Sequence, residues 1–260
     1  MTFVLMQYRG DLQSKATVMN RRNFLKVTAT TGAVIAVSPS VFNQKLHASN
    51  GALYSAYERV KLVDANGKAI KSSKLKKETN YIFNYPHRGT PAMMIDLGKT
   101  TYKDISLKSE DGTSYIWKSG VGAKRTIVAY TAICSHQLAH PTPKDSFIQY
   151  VRTGTKSLVA PQGGMIVCSS HLSAFDASKG AKRIAGPAAE PLASIVLEVD
   201  HHDQIWAVGV LGPDKFHEYF KAFKPELKEF YNGKRKAKKL VSISAKTVTL
   251  KEYSKDIIQY

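Results

Sequence analysis

From about residue 57 onward, apolar and polar positions alternate in short runs separated by turn formers. Val60–Val63, Tyr81–Tyr85, Ala92–Leu97, Tyr115–Lys118, Thr126–Thr131, Ile195–Val199 and Ile205–Val210 are rich in branched and aromatic residues, the pattern of half-buried strands rather than helices. Between them fall breaks such as Asp64-Ala65-Asn66-Gly67, Pro86-His87-Arg88-Gly89 and Asp111-Gly112, which favour tight turns. The pattern predicts an all-β fold, an antiparallel sandwich or barrel over residues 57–212. No internal repeat is evident.

The period changes at Pro213. In the stretch DKFHEYFKAFKPELKEFYNGKRKAKKL, Phe216, Tyr219, Phe220 and Phe223 recur at helical spacing until Pro225 interrupts them, since proline cannot continue a helix interior. The run 234–239 is strongly basic, and Thr247–Leu250 has the composition of a strand. Residues 213–260 are therefore expected to be a helical, basic C-terminal extension. Such a run either docks on a partner subunit or lipid headgroups, or is simply a solvated face.

At the other end, Asn20-Arg21-Arg22-Asn23-Phe24-Leu25-Lys26 precedes the apolar Val27–Val37. That is the layout of a twin-arginine export signal, an address rather than a part of the fold. The apolar stretch is shorter than the roughly 20 residues that span a bilayer, so as a retained anchor it would be marginal. The expected organisation is a signal or membrane anchor over 1–42, a linker over 43–56, the β domain over 57–212 and the extension over 213–260, with the product on the periplasmic side of the cytoplasmic membrane.

With 260 residues and 43% hydrophobic content the chain can bury a sizeable core. It carries 38 Lys and Arg against 20 Asp and Glu, a formal net charge of +18. No zinc-finger or basic-helix pattern organises these cations, which argues against nucleic acid and for an acidic protein partner or an anionic lipid surface.

The chemistry concentrates in two short segments. Cys134-Ser135-His136 and, downstream, Cys168-Ser169-Ser170-His171 each supply one thiolate and one imidazole, and these are the only two cysteines in the chain. Two thiolates on one iron and two imidazoles on the other would hold a [2Fe–2S] centre. Replacing anionic sulfur by neutral nitrogen makes the centre less negative and easier to reduce, with potentials of roughly −150 to +300 mV. A mononuclear zinc site is the competing reading of two Cys and two His, although the order C-x-H then C-x-x-H is not that of a zinc finger. Because folded proteins travel the twin-arginine route, export and cytoplasmic cluster insertion would be compatible. No other constellation suggests substrate chemistry: His140, His201, His202 and His217 have no matching nucleophile or carboxylate pattern, and packing or surface roles are expected of each.

The segment Cys168-Ser-Ser-His171-Leu-Ser173-Ala-Phe175-Asp176-Ala-Ser-Lys-Gly180, continuing to Gly186-Pro187-Ala188, resembles the second cluster loop and following proline loop of Rieske proteins. It looks like the small subunits of arsenite oxidase and related molybdopterin oxidoreductases, iodate reductase-like enzymes included. The resemblance spans about 57–211 and implies a cluster-binding subdomain at about 131–190. It implies Cys134, His136, Cys168 and His171 as cluster ligands, and Ser173 as the hydroxyl that hydrogen-bonds a bridging sulfide. It further implies a non-catalytic electron-transfer subunit that works between a large molybdopterin subunit and a c-type cytochrome or cupredoxin. The alternative is a quinol:cytochrome c oxidoreductase subunit, but Phe175 stands where those relatives carry a tyrosine. Two further departures are apparent. The family's usual disulfide between the loops is missing, its cysteine positions being held by Ala139 and Ser170. An insertion at 141–164 separates the two loops and is expected to form an extra hairpin near the cluster, while Gln137 replaces an apolar shielding residue.

Overall fold

The computed structural model describes residues 53–260; the expected signal at 1–42 and most of the expected linker lie outside them. Sixteen strands occur in order among the described residues: β1 (Tyr54–Val63), β2 (Tyr81–Asn84), β3 (Pro91–Asp96), β4 (Ile105–Lys108), β5 (Ser114–Trp117), β6 (Ile127–Thr131), β7 (Asp145–Ser146), β8 (Ile148–Val151), β9 (Met165–Cys168), β10 (Ser173–Asp176), β11 (Lys182–Ala185), β12 (Ser194–Val199), β13 (Ile205–Leu211), β14 (Ser244–Lys246), β15 (Val248–Thr249) and β16 (Asp256–Ile257). Four helices fall after β13: α1 (Phe216–Ala222), α2 (Lys224–Tyr231), α3 (Lys234–Ala237) and α4 (Leu250–Tyr253). The all-β expectation and the C-terminal helices are both present. Each of the seven strands expected from alternation coincides with an observed one.

These strands read as short, nearly continuous apolar runs because the main sheet is buried on both faces, between two cores. Along β3, Met93 and Ile95 enter one apolar cluster while Ala92 and Met94 enter the other; β6 divides Val128 and Tyr130 from Ile127 and Ala129 in the same way. Successive side chains of a strand point to opposite faces, so each strand feeds both layers. One layer reaches the second, four-stranded sheet, β11-β10-β9-β8, through Ile166, Cys168 and Phe175, while the other takes in Phe216, Tyr219 and Phe220 of α1.

The main sheet runs β14-β1-β13-β12-β6-β3-β2-β15. Its two edge strands are consecutive in the chain. β14 pairs in parallel with β1, β15 pairs antiparallel with β2, and only Thr247 lies between them. The Thr247 amide donates to Val63 O at 2.7 Å. One six-residue stretch, 244–249, thus occupies both edges, and the sheet closes into a barrel that leaves few unpaired edge groups.

This closure corrects the expected organisation. Residues 213–260 are not an appendage: they complete the barrel and belong to one compact unit with the other described residues. The first helix ends at Ala222, before Pro225 as expected, and Pro225 sits in the first turn of α2, where its missing amide costs nothing. The linker expected to reach residue 56 gives way to β1 at Tyr54.

The helical layer covers a half-buried ionisable ring. His87 packs edge-on against Phe216 and Phe220, with centroids 5.4 and 5.2 Å away, and its Nδ1 has no hydrogen-bond partner. Burial, assisted by Lys238, pushes its pKa from 6.5 down to about 4. Between those values the unfolded chain takes up a proton that the folded chain refuses, so stability is lost as pH falls through that window. With a discount for the ring's partial exposure we expect about 1 kcal/mol between pH 7 and pH 4. His87→Leu should flatten that part of the curve in denaturant titrations across pH; an unchanged slope would assign the acid sensitivity elsewhere.

Candidate metal centre

The first loop leaves β6 and turns back at once. The Cys134 amide donates to Ala139 O at 2.8 Å and the Leu138 amide to Cys134 O at 3.0 Å, with Leu138 in the left-handed region at φ 62°. This small closed turn presents Cys134 inward and places His136 at the rim. The second loop joins β9 to β10. Cys168 is the last residue of β9, opposite Ser173 at the start of β10, and the reversal passes through Leu172 at φ 57°.

These two turns bring all four expected side chains together in two pairs. Cys134 and Cys168 are fully buried, unbridged, and within hydrogen-bonding reach of each other. The His136 and His171 rings lie edge to face with centroids 4.9 Å apart. His171 is exposed, and its Nδ1 is 3.2 Å from Ser170 Oγ. His136 Nδ1 is shut off from solvent with no hydrogen-bond partner, an expensive state for a ring nitrogen unless a metal takes its lone pair.

Each sulfur sits in a ring of backbone amides. Those of His136 and Gln137 point at Cys134, and those of Ser170 and His171 at Cys168. The hydrogen bond between the two thiols raises Cys134, with burial adding to it, and draws Cys168 down to about 7. Two adjacent thiols whose first ionisation is easy and second hard suit an electron-poor centre that takes both as thiolates.

Among the described residues no three His, Cys, Asp or Glu side chains gather closely enough to hold a single metal ion. A tetrahedral zinc ion would need four donors on one point. A two-iron centre needs only two protein donors per iron, which is the arrangement of paired sulfurs and paired rings seen here.

A family profile described as Rieske [2Fe-2S] domain matches residues 95–196. The chain carries a Rieske domain. Its cofactor is a Rieske-type [2Fe–2S] cluster, and its role is electron transfer. Among curated proteins it is similar to iodate reductase subunit IdrB of Pseudomonas sp. (strain SCT), 27% identical over 194 residues, covering 75% of this chain and 80% of that protein. Among solved structures it resembles the soluble domain of the Rieske protein II (soxF) from Sulfolobus acidocaldarius, at 23% identity and TM-score 0.44 over 64% of this chain and 84% of that one. The ferredoxin of carbazole 1,9a-dioxygenase from Nocardioides aromaticivorans IC177 is 16% identical with TM-score 0.32, covering 58% and 96%.

Around the Rieske centre, a third loop holds the other two. Ser135 Oγ donates to Glu190 O at 2.8 Å and the Ala188 amide donates to Ser173 Oγ at 3.2 Å. Gly186 presses so close to the second loop that a Cβ there would lie 2.2 Å from Leu172 O, so no other residue fits.

The insertion at 141–164 forms the expected hairpin together with β9. Its strand β8 lies beside β9, with Ile148 opposite Cys168, and the Ser169 amide donates to Phe147 O at 2.6 Å. The C-terminus then straps this segment down: Ser254 Oγ donates to Thr142 O at 2.6 Å, and β16 pairs with β7.

His140 fulfils its expected packing role through partners that are remote in sequence. Its Nδ1 donates to Leu138 O at 2.7 Å, and its Nε2 donates to Glu226 Oε1 on α2 at 2.5 Å. Tyr219 and Phe223 flank the ring edge-on at 4.8 and 4.6 Å. His201, His202 and His217 are exposed, as expected. Glu226 escaped the sequence reading because nothing local marks a carboxylate 86 residues away as the partner of a loop histidine.

Breaking a buried pair by removing one partner costs about 3–5 kcal/mol; because the Glu226 side chain is 25% exposed, we expect about 2 kcal/mol for Glu226→Ala. Hydrogen exchange at the Cys134 and Leu138 amides should speed up in step. Lys144→Ala, which cuts the exposed pair with Glu229, should leave stability unchanged within error, because solvent screens such a pair. Equal effects from the two substitutions would mean that aromatic packing alone holds His140.

Proposed function

We propose that Cys134, His136, Cys168 and His171 ligate the Rieske cluster, and that the chain is exported by the twin-arginine route to serve as the electron-transfer subunit of a molybdopterin oxidoreductase in the periplasm. It would relay electrons between that large subunit and a c-type cytochrome or cupredoxin. When bound, the cluster takes up and returns one electron at a time. The observation that carries the ligand assignment is the pairing of the donors, sulfur beside sulfur and ring beside ring, with the Nδ1 of His136 buried and unpartnered.

The chain's own residues set the conditions of transfer. Four backbone amides aimed at the sulfurs favour added negative charge. Ser173 is completely buried and uses its oxygen to accept from Ala188, which leaves its own proton to donate to a bridging sulfide. Exposed His171 brings one ring to the surface, where a partner can approach.

Supporting the molybdopterin reading are the likeness to an iodate reductase subunit over most of both chains and the residues of the second loop. Phe175, wholly buried and without a hydroxyl, offers no support to the quinol-oxidising alternative. The export reading rests on residues 20–37 alone.

Metal and acid-labile sulfide analysis of native protein, with low-temperature EPR after reduction, tests the assignment. Iron and sulfide in equal amounts, with an average g value below that of an all-cysteine cluster, are expected; stoichiometric zinc would overturn it. His136→Cys should move that average upward. Ser173→Ala should lower the reduction potential by on the order of 40 mV, one neutral hydrogen bond of ~1 kcal/mol set against ~59 mV per tenfold for one electron, and a voltammetric potential unchanged within error would remove the sulfide bond from the scheme.

A further inference from the structure

Between Glu229 and Glu252 the chain has seven Lys and Arg residues and no acidic residue. Much of this run is fixed in place rather than trailing in solvent. The Gly89 amide donates to Ala237 O and the Arg88 amide to Lys239 O, both at 2.9 Å, and His87 forms a β-bridge with Leu240. Ala237 is turned inward against Gly89, where any side chain would collide with its Cβ at 2.7 Å. The same register turns Arg235, Lys236 and Lys239 outward beside Arg88, while the Lys238 ammonium lies 5.5 Å over the Phe220 ring; all five are exposed and none forms an ion pair among the described residues.

Two exposed aliphatic side chains continue this surface. Leu240 is 46% exposed and Ile243 is 83% exposed. Ile243 is held at φ 65°, with its carbonyl accepting from the Lys61 amide at 3.0 Å. A branched residue is among the worst choices for the left-handed region, and nothing in the barrel is gained by pushing its side chain into water. The repulsion among unpaired cations and the exposure of Ile243 both work against folding in isolation, and both are relieved by one kind of surface.

We propose that Arg88, Arg235, Lys236, Lys238, Lys239, Leu240 and Ile243 form a docking face for an anionic lipid bilayer. The cations would lie at the headgroup phosphates and the two aliphatic side chains would enter the acyl boundary. Anionic headgroups attract clustered Lys and Arg without requiring a shaped groove, and adjacent insertable apolar groups make such binding outlast the screening of charge by salt. Single-stranded nucleic acid would want aromatic planes on which bases stack, and the exposed residues of this run provide none. An acidic protein would use the cations but has no need of Ile243.

The test is co-sedimentation of the full-length holoprotein with vesicles of phosphatidylcholine alone or mixed with phosphatidylglycerol. Binding should require phosphatidylglycerol and weaken as salt rises. The combined variant Arg235→Gln, Lys236→Gln, Lys238→Gln, Lys239→Gln should bind at least about a hundredfold more weakly, at roughly fivefold per cation. Leu240→Ser with Ile243→Ser should remove the binding that remains at high salt. Because the apolar stretch at 27–37 is present in every variant, its own insertion cancels in the comparison, and an unchanged circular dichroism spectrum shows that the barrel is intact. Equal binding to both vesicle types, or binding that survives the four-cation variant, overturns the proposal. So does loss of vesicle binding in that variant with no effect of the two serine substitutions, which would mark a face for an acidic protein instead.

Discussion

Two loops separated by 31 residues of sequence must hold sulfur beside sulfur and ring beside ring, and in this chain no covalent cross-link joins them. Cys134 and Cys168 are its only cysteines and both are free, so everything that fixes one loop against the other is non-covalent. The positions at which the resemblance implied a bridge hold Ala139 and Ser170. In place of the bridge, Ser135 is tied to Glu190 O, Ala188 to Ser173 Oγ, and Gly186 is wedged against Leu172 O. Single hydrogen bonds contribute only about 1 kcal/mol each net. Several of them must therefore act together with close packing to do what one disulfide would do.

That requirement gives the C-terminal region its meaning. Residues 244–249 close the barrel by pairing with both of its edges, and Ser254 and β16 strap down the segment that leaves the first loop. Glu226 on α2 holds His140, whose other nitrogen donates to the loop carbonyl at Leu138. The barrel, the insertion and the first loop thus share one set of fastenings. The insertion strand β8 serves the same end on the other side, since it hydrogen-bonds the strand that carries Cys168.

The barrel strands were legible in the sequence as short runs of branched and aromatic residues bounded by turn formers, because burial on both faces leaves few polar positions along them. The strands of the cluster sheet were not. Ser173-Ala174-Phe175-Asp176 is buried at every position, yet it reads as a polar turn, because its burial comes from β9, β11 and the proline loop rather than from any pattern of its own. The ligand quartet was visible from residue type and spacing alone. Its supports were not, because amides aimed at sulfur carry no side-chain signature and the Glu226–His140 contact joins elements 86 residues apart. Aromatic spacing located the helices correctly, but composition made 213–260 look like an addition to a finished domain. Only pairing, which sequence does not encode locally, shows that the domain is unfinished without them.

The two rings of the proposed centre are not equivalent, and the difference decides where an electron would leave. His136 lies half-buried in a turn fixed from below by His140 and Ser135, with its Nδ1 closed to water. His171 lies exposed at the tip of a hairpin, with only the hydroxyl of its neighbour Ser170 near its Nδ1. A partner can therefore approach through His171 without disturbing the fastenings that set the geometry of the first loop. Rigidity is concentrated on one side of the centre and access on the other. Such a division suits an electron carrier, which must keep its site unchanged while partners come and go.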